Sequence, residues 1–228
     1  MTFTGRQAFF RIIRNTKSLV GARRMVHYIA FRSRELPHEQ KGGFDRDHNH
    51  ADVDRFSKSL DHRLTRHPQV PVAFHGVFSL PRAEMERAGL TDWKGFVREV
   101  MAQYETDRQI RLEWFASVHD SKTHPHTHII IKAVYTNKDG REMRLRFNKE
   151  DLKQLRRTAG QTLAHKRWLH QAPERAARAM ALEQARTTTA RLMGFQHALD
   201  WLTQQIQAER RRREREIEDA HQRWLRDD

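Results

Sequence analysis

Four histidines, His119, His124, His126 and His128, fall within ten residues of the stretch "ASVHDSKTHPHTHIIIKAV" (116–134). His126 and His128 are separated by one residue, so on a β-strand both imidazoles project from the same face. Suppose "LEWFASVH" and "HTHIIIKAVYT" form an antiparallel hairpin with His119 opposite His126. Residues 120–125 then make the connection, and directly opposed residues share a face. Three imidazoles converge on one point. The chain has no cysteine, so any metal must be held by His, Asp or Glu. Three neutral imidazoles suit a borderline divalent ion such as manganese, zinc, cobalt or nickel, and leave positions open for water or substrate. Open positions belong to catalytic metal sites. The competing reading is a solvated histidine-rich hairpin without metal, disfavoured because chance histidines rarely keep strand period on both arms. A second group, "DRDHNHADVD" (45–54), carries His-x-His beside carboxylates but has no strand character to converge them. It reads as a solvated loop.

The charge balance indicates what such a metal would act on. Lys and Arg number 43 against 29 Asp and Glu, a net charge of +14, which puts nucleic acid ahead of an acidic membrane face as the partner. Beside that charge, a metal with open positions suits phosphodiester chemistry, polarising a nonbridging oxygen and offsetting charge in the transition state. Hydrolytic nucleases use water as nucleophile; strand-transferring enzymes use a side-chain hydroxyl. Of the three tyrosines, Tyr104 has core-like helical neighbours, and Tyr135 follows the histidine strand with no base opposite it. Tyr28 stands in "RRMVHYIAFRSR" with Arg23, Arg24, Arg32 and Arg34, placed to meet a phosphate. No run is apolar enough for a leader or a membrane span, and a soluble, cytoplasmic protein without membrane insertion is expected.

The elements that position these residues follow from period and caps. A helix is predicted over 18–33, with Leu19, Ala22, Met25, Val26, Ile29 and Ala30 on its apolar face. A polar, glycine-containing loop and a charged helix near 53–66 come next. "PVAFHGVFSLP" (71–81) reads as a strand. "TDWKGFVREVMAQYETD" is a helix capped by Thr91 or Asp92. The two histidine strands, a short third strand in "REMRLRFN" and a helix opened by Asn148 complete the pattern. After Pro173 the composition shifts to Arg, Glu and Gln, and Leu192, Phe195, Leu199, Leu202 and Ile206 fall at 3-4-3-4 spacing, a helix-packing seam. The expected division is 1–172 for the chemistry and 173–228 for a helical C-terminal extension.

The string "HDSKTHPHTHIII" resembles the third motif of the conjugative and mobilisation relaxases. These are HUH (His–hydrophobe–His) endonucleases that nick plasmid DNA at an origin of transfer. It is similar to the MOB-type group that contains the Ti-plasmid border nuclease. "MVHYIAFRSREL" is similar to their first motif, and "FHGVFSLP" with its following helix resembles the segment between the two. The agreement runs from about residue 20 to 169 and leaves the tail uncovered.

The resemblance implies an α+β fold, a five-stranded antiparallel sheet flanked by helices. It implies Tyr28 as the attacking residue and His119, His126 and His128 as metal ligands. The family's acid two residues after the first histidine is Ser121 here. Asp120, Glu113 and His124 are therefore the candidates to orient a ligand from outside. The implied activity is site- and strand-specific DNA nicking and strand transfer through a 5′-phosphotyrosyl link. A divalent metal would serve it, manganese or magnesium ahead of zinc, cobalt or nickel. The implied partners are single-stranded origin DNA, accessory DNA-binding proteins and a separate helicase. Rolling-circle initiators and single-strand transposases share these residues, but usually reverse the motif order or shorten the gap between motifs. A non-catalytic DNA-binding accessory protein would have no need of the intact tyrosine and all three histidines.

Overall fold

The computed structural model describes residues 9–31, 41–119, 125–193 and 196–226. Its elements run β1 (Phe9–Thr16), α1 (Leu19–Phe31), α2 (Val53–Ser59), β2 (Ala73–Ser79), α3 (Arg82–Arg87), α4 (Trp93–Arg108), β3 (Ile110–His119), β4 (His126–Asn137), β5 (Glu142–Arg144), α5 (Lys149–His170), α6 (Ala172–Met193) and α7 (Gln196–Arg226). The chain forms two compact units, one spanning Arg6–Arg167 and one containing Trp168–Asp228.

The first unit is built on a five-stranded sheet in the order β1-β2-β4-β3, with β5 also pairing β4. Every pairing is antiparallel, as the α+β expectation required. β1 falls in a stretch without a periodic signal. The alternation of β4 assigns one side chain to each layer. Ile129, Ile131 and Ala133 enter a core with Phe96, Val97, Val100, Met101 and Tyr104 of α4 and Leu155 and Ala159 of α5. On the opposite face, Ile130 and its neighbour Phe115 are covered by Ala22, Val26, Ile29 and Ala30 of α1 and by Phe56 of α2. Each large apolar side chain fully buried this way contributes about 1.5–3 kcal/mol, so α1 is fixed to that face by its apolar stripe.

Local chemistry sets the helix ends. The Asp92 side chain accepts the Gly95 N–H to start α4, and Gln109, left-handed at φ 53°, turns the chain straight into β3. Asn148 and Asp151 cap α5 reciprocally, each side chain accepting the other's backbone N–H at 2.9 Å. Asp151 also takes hydrogen bonds from Arg108 and from the Tyr104 hydroxyl, the latter at 3.2 Å. Tyr104 is fully buried; burial first, and then the Asp151 charge, hold its phenol above the ordinary range. It is a packing residue. α2 is shorter than expected: the helix stops at Ser59, and a 3-10 turn (Arg63–Thr65) capped by His62 takes up the remainder.

In the second unit α6 and α7 contact each other. Leu202 and Ile206 of the expected seam are half-buried, while Trp201 is exposed. The side chains of Leu192, Phe195 and Leu199 lie outside the described residues. The arginine-rich stretch of α7 is solvated and carries the i,i+4 pairs Arg212–Glu216 and Arg213–Glu209. Among the described residues no helix is long and apolar enough to cross a membrane.

Candidate metal centre and nucleic-acid face

One face of β4 reads His126, His128, Ile130 and Lys132. Ile130 sits beneath α1, and Lys132 ion-pairs with Glu113 at 2.7 Å. The histidine end extends past the apolar cover. Register supplies the third imidazole, because β3 and β4 pair His119 directly with His126. The ring centroids stand 4.7–5.3 Å apart, and one nitrogen from each ring lies within 4.8 Å of the others. Among the described residues this is the one group of three or more with metal-ligating geometry.

Outer contacts fix two of the rings. The His119 Nε2–H donates to the Ile29 carbonyl at 3.1 Å, which leaves Nδ1 with its lone pair. His128 Nδ1 stands 2.8 Å from His75 Nε2 on the neighbouring strand. Burial, and then the proximity of His119, His75 and His126, holds His128 down to about 3. His75 is held down to about 4 by burial first, then by the Arg14 and His119 charges. Both rings are therefore neutral at physiological pH, the state a metal ligand needs. The donor set fits a divalent cation that accepts imidazole nitrogen.

The Ile29 carbonyl also brings the end of α1 to the cluster. Tyr28 is the preceding residue and is 57% exposed, although it is a large aromatic on a packed helix. Tyr104 is fully buried, and Tyr135 is half-buried against the α4 side of the core. Arg24 shares the Tyr28 face of α1 at i,i+4 and is exposed. Arg23 is half-buried and donates to the Ser57 carbonyl at 3.1 Å, tying α1 to α2. Arg32, Arg34, Asp120, Ser121 and His124 lie outside the described residues. Glu113 is not brought to the triad; its carboxylate is engaged by Lys132.

Three residues with no sequence signal join this face. His75 was hidden as a lone histidine in an apolar strand. Arg11 and Arg14 of β1 stand opposite Val77 and His75, with a bulge at the intervening Ile13. Three residues apart, the two arginines would alternate to opposite faces. The extra residue in the bulge puts both on the histidine face, and both are exposed.

The "DRDHNHADVD" segment is ordered by ordinary polar chemistry. Asp45 accepts the backbone N–H groups of Asp47 and His48 at 2.8 and 2.7 Å. Arg98 donates to the carbonyls of Asp45 and His48 and to the Asn49 side chain, at 2.8–2.9 Å. The preceding Phe44 exchanges two 2.8 Å backbone bonds with Ala116 at the edge of β3.

The model of the family "Relaxase: MobA/VirD2-like, nuclease domain" matches residues 35–167, more than half of the chain. The chain belongs to the MobA/VirD2-like relaxases. The match takes in all three histidines of this relaxase and begins after Tyr28. A comparison with curated proteins yields no match. Among solved structures, the relaxase is similar to the conjugative relaxase TrwC in complex with oriT DNA in a metal-bound form, at 16% identity over 70% of this chain and 69% of that one, TM-score 0.47. It is similar also to TrwC complexed with a 27-mer DNA comprising the recognition hairpin and cleavage site, at 16% identity over 70% and 68%, TM-score 0.44.

Proposed function

We propose that this relaxase nicks one DNA strand at the origin of transfer of a plasmid or integrative element, holding the 5′ end on Tyr28 until the strand is rejoined. The observation that carries the reading is the convergence of His119, His126 and His128 beside the end of α1 that bears the exposed Tyr28. The three histidines would hold a divalent metal, manganese or magnesium. When bound, it supplies Lewis acidity toward a nonbridging phosphate oxygen. The Tyr28 phenolic oxygen forms the new bond to phosphorus as the bond to the 3′ oxygen breaks. The phenol's proton ends on the departing 3′ hydroxyl, so no co-reactant is consumed, and rejoining is the reverse exchange. Arg11, Arg14 and Arg24, with Arg32 and Arg34 from the stretch after α1, would hold flanking phosphates of single-stranded DNA.

In this reading residues 1–172 form the nickase, and 173–228 form a helical extension. Accessory DNA-binding proteins and a separate helicase complete the transfer machinery in the cytoplasm. The reading is tested by incubating the protein with supercoiled plasmid carrying a transfer origin, with and without manganese. Metal-dependent open circles nicked at one position of one strand are expected. Cuts scattered over both strands, or equal nicking in chelator, would overturn it.

A further inference from the structure

The His75–His128 contact raises a question that the triad alone does not answer: which nitrogen of His128 faces the metal. β2 and β4 pair Val77 with His128 and His75 with Ile130, so the two histidines are diagonal neighbours on one face. Diagonal cross-strand neighbours are within reach of aromatic side chains. The rings stand 4.9 Å apart at 42°, with His75 Nε2 2.8 Å from His128 Nδ1. A hydrogen bond between two neutral imidazoles needs one N–H and one lone pair. Two arrangements satisfy that rule, and only one leaves His128 able to bind a metal through its remaining nitrogen.

We propose that His75 is the positioning residue of this site: its Nε2 accepts the His128 Nδ1–H, which fixes the tautomer of His128 and turns its Nε2 lone pair toward the metal. The inference rests on the metal reading above. The opposite arrangement, with His75 donating, would place the proton of His128 on Nε2 and block it as a ligand. A ligating histidine usually gives its second N–H to a carboxylate, a carbonyl or water, and loss of that partner costs about 10–100-fold in metal affinity. A neutral imidazole takes the role here, on a different strand from the ligand. Its ring is held in place by the β1–β2–β4 ladder, with Arg14 directly opposite.

The test has two arms. In the metal-free parent, imidazole nitrogen-15 NMR, with His128 assigned by comparison with His128→Gln, should show His128 protonated at Nδ1 and His75 with an Nε2 lone pair. His128 protonated at Nε2 would overturn the proposal. Manganese titration by calorimetry should then show His75→Phe binding about 10–100-fold more weakly than the parent. His75→Gln, whose side-chain oxygen again offers an acceptor, should recover most of the loss. Parent-like affinity in His75→Phe, or no recovery in His75→Gln, would refute the role of His75. Absence of manganese binding by the parent would instead refute the metal reading itself, and the inference with it.

Discussion

Replacing Gly43 with alanine should loosen the end of α1 while leaving the pairing of the two histidine strands intact. A Cβ at Gly43 would fall 2.2 Å from the Phe115 ring and 2.4 Å from the Ala116 carbonyl oxygen. The second of these is backbone in the middle of β3 and cannot give way, so the 42–44 segment must move off the strand edge. That breaks the paired 2.8 Å bonds between Phe44 and Ala116 and strains the neighbouring Gly42 bonds to Ala30 and Ser117. Two net backbone bonds are worth about 1–3 kcal/mol together. For a protein of this size that corresponds to a fall of roughly 2–12 °C in the unfolding midpoint. The β3–β4 ladder that sets the triad does not include Gly43, but the Ile29 carbonyl that holds His119 lies in the loosened turn. Manganese affinity by calorimetry should therefore fall by at most the roughly 10–100-fold that loss of one outer partner costs. Nicking should slow, because Gly42 anchors the last turn of α1, two residues past Tyr28, through the Ala30 carbonyl. An unchanged midpoint with parent-like nicking would refute the claim that this segment fixes α1 to the sheet.

His126→Ala should weaken manganese binding by more than the roughly 10–100-fold typical of losing an outer partner and should abolish nicking, with circular dichroism and much of the DNA affinity retained; unchanged cleavage would remove the metal assignment. Arg14→Ala should weaken single-stranded DNA binding and reduce the slope of log affinity against log salt by about 0.7, the share of one phosphate contact on a single strand; an unchanged slope would mean that Arg14 meets no phosphate.

The histidine hairpin was legible because two periodicities agree. His126 and His128 keep period two on one arm, and the length of the connection puts His119 opposite His126, where the register of β3 and β4 places it. Helices α4 and α5 were legible from the side chains that cap them, Asp92 and Asn148. β1 was not, since the bulge at Ile13 destroys alternation and sets Ile12 and Ile13 side by side. The same bulge hid the shared face of Arg11 and Arg14. His75 could not be singled out from "FHGVFS" because its partner is 53 residues away and is reached only through the β2–β4 register. Arg23 has a second role that its place among arginines did not reveal: its Nε–H donates to the Ser57 carbonyl and ties α1 to α2. Residues 41–50 read as a solvated loop from composition, and Arg98 and the Phe44 bridge hold that loop through contacts distant in sequence.

A denaturing gel shows whether the Tyr28 hydroxyl oxygen becomes bonded to DNA. A single strand spanning the mapped nick, labelled at its 3′ end, is incubated with manganese and either the parent or Tyr28→Phe. The substitution removes one hydroxyl from an exposed ring and leaves α1, Arg24 and the histidines in place. A protein-linked labelled band is expected with the parent, and neither adduct nor cleavage with Tyr28→Phe at undiminished DNA binding. An adduct that persists in Tyr28→Phe, or cleavage by both proteins that leaves a free 5′ phosphate, would contradict it.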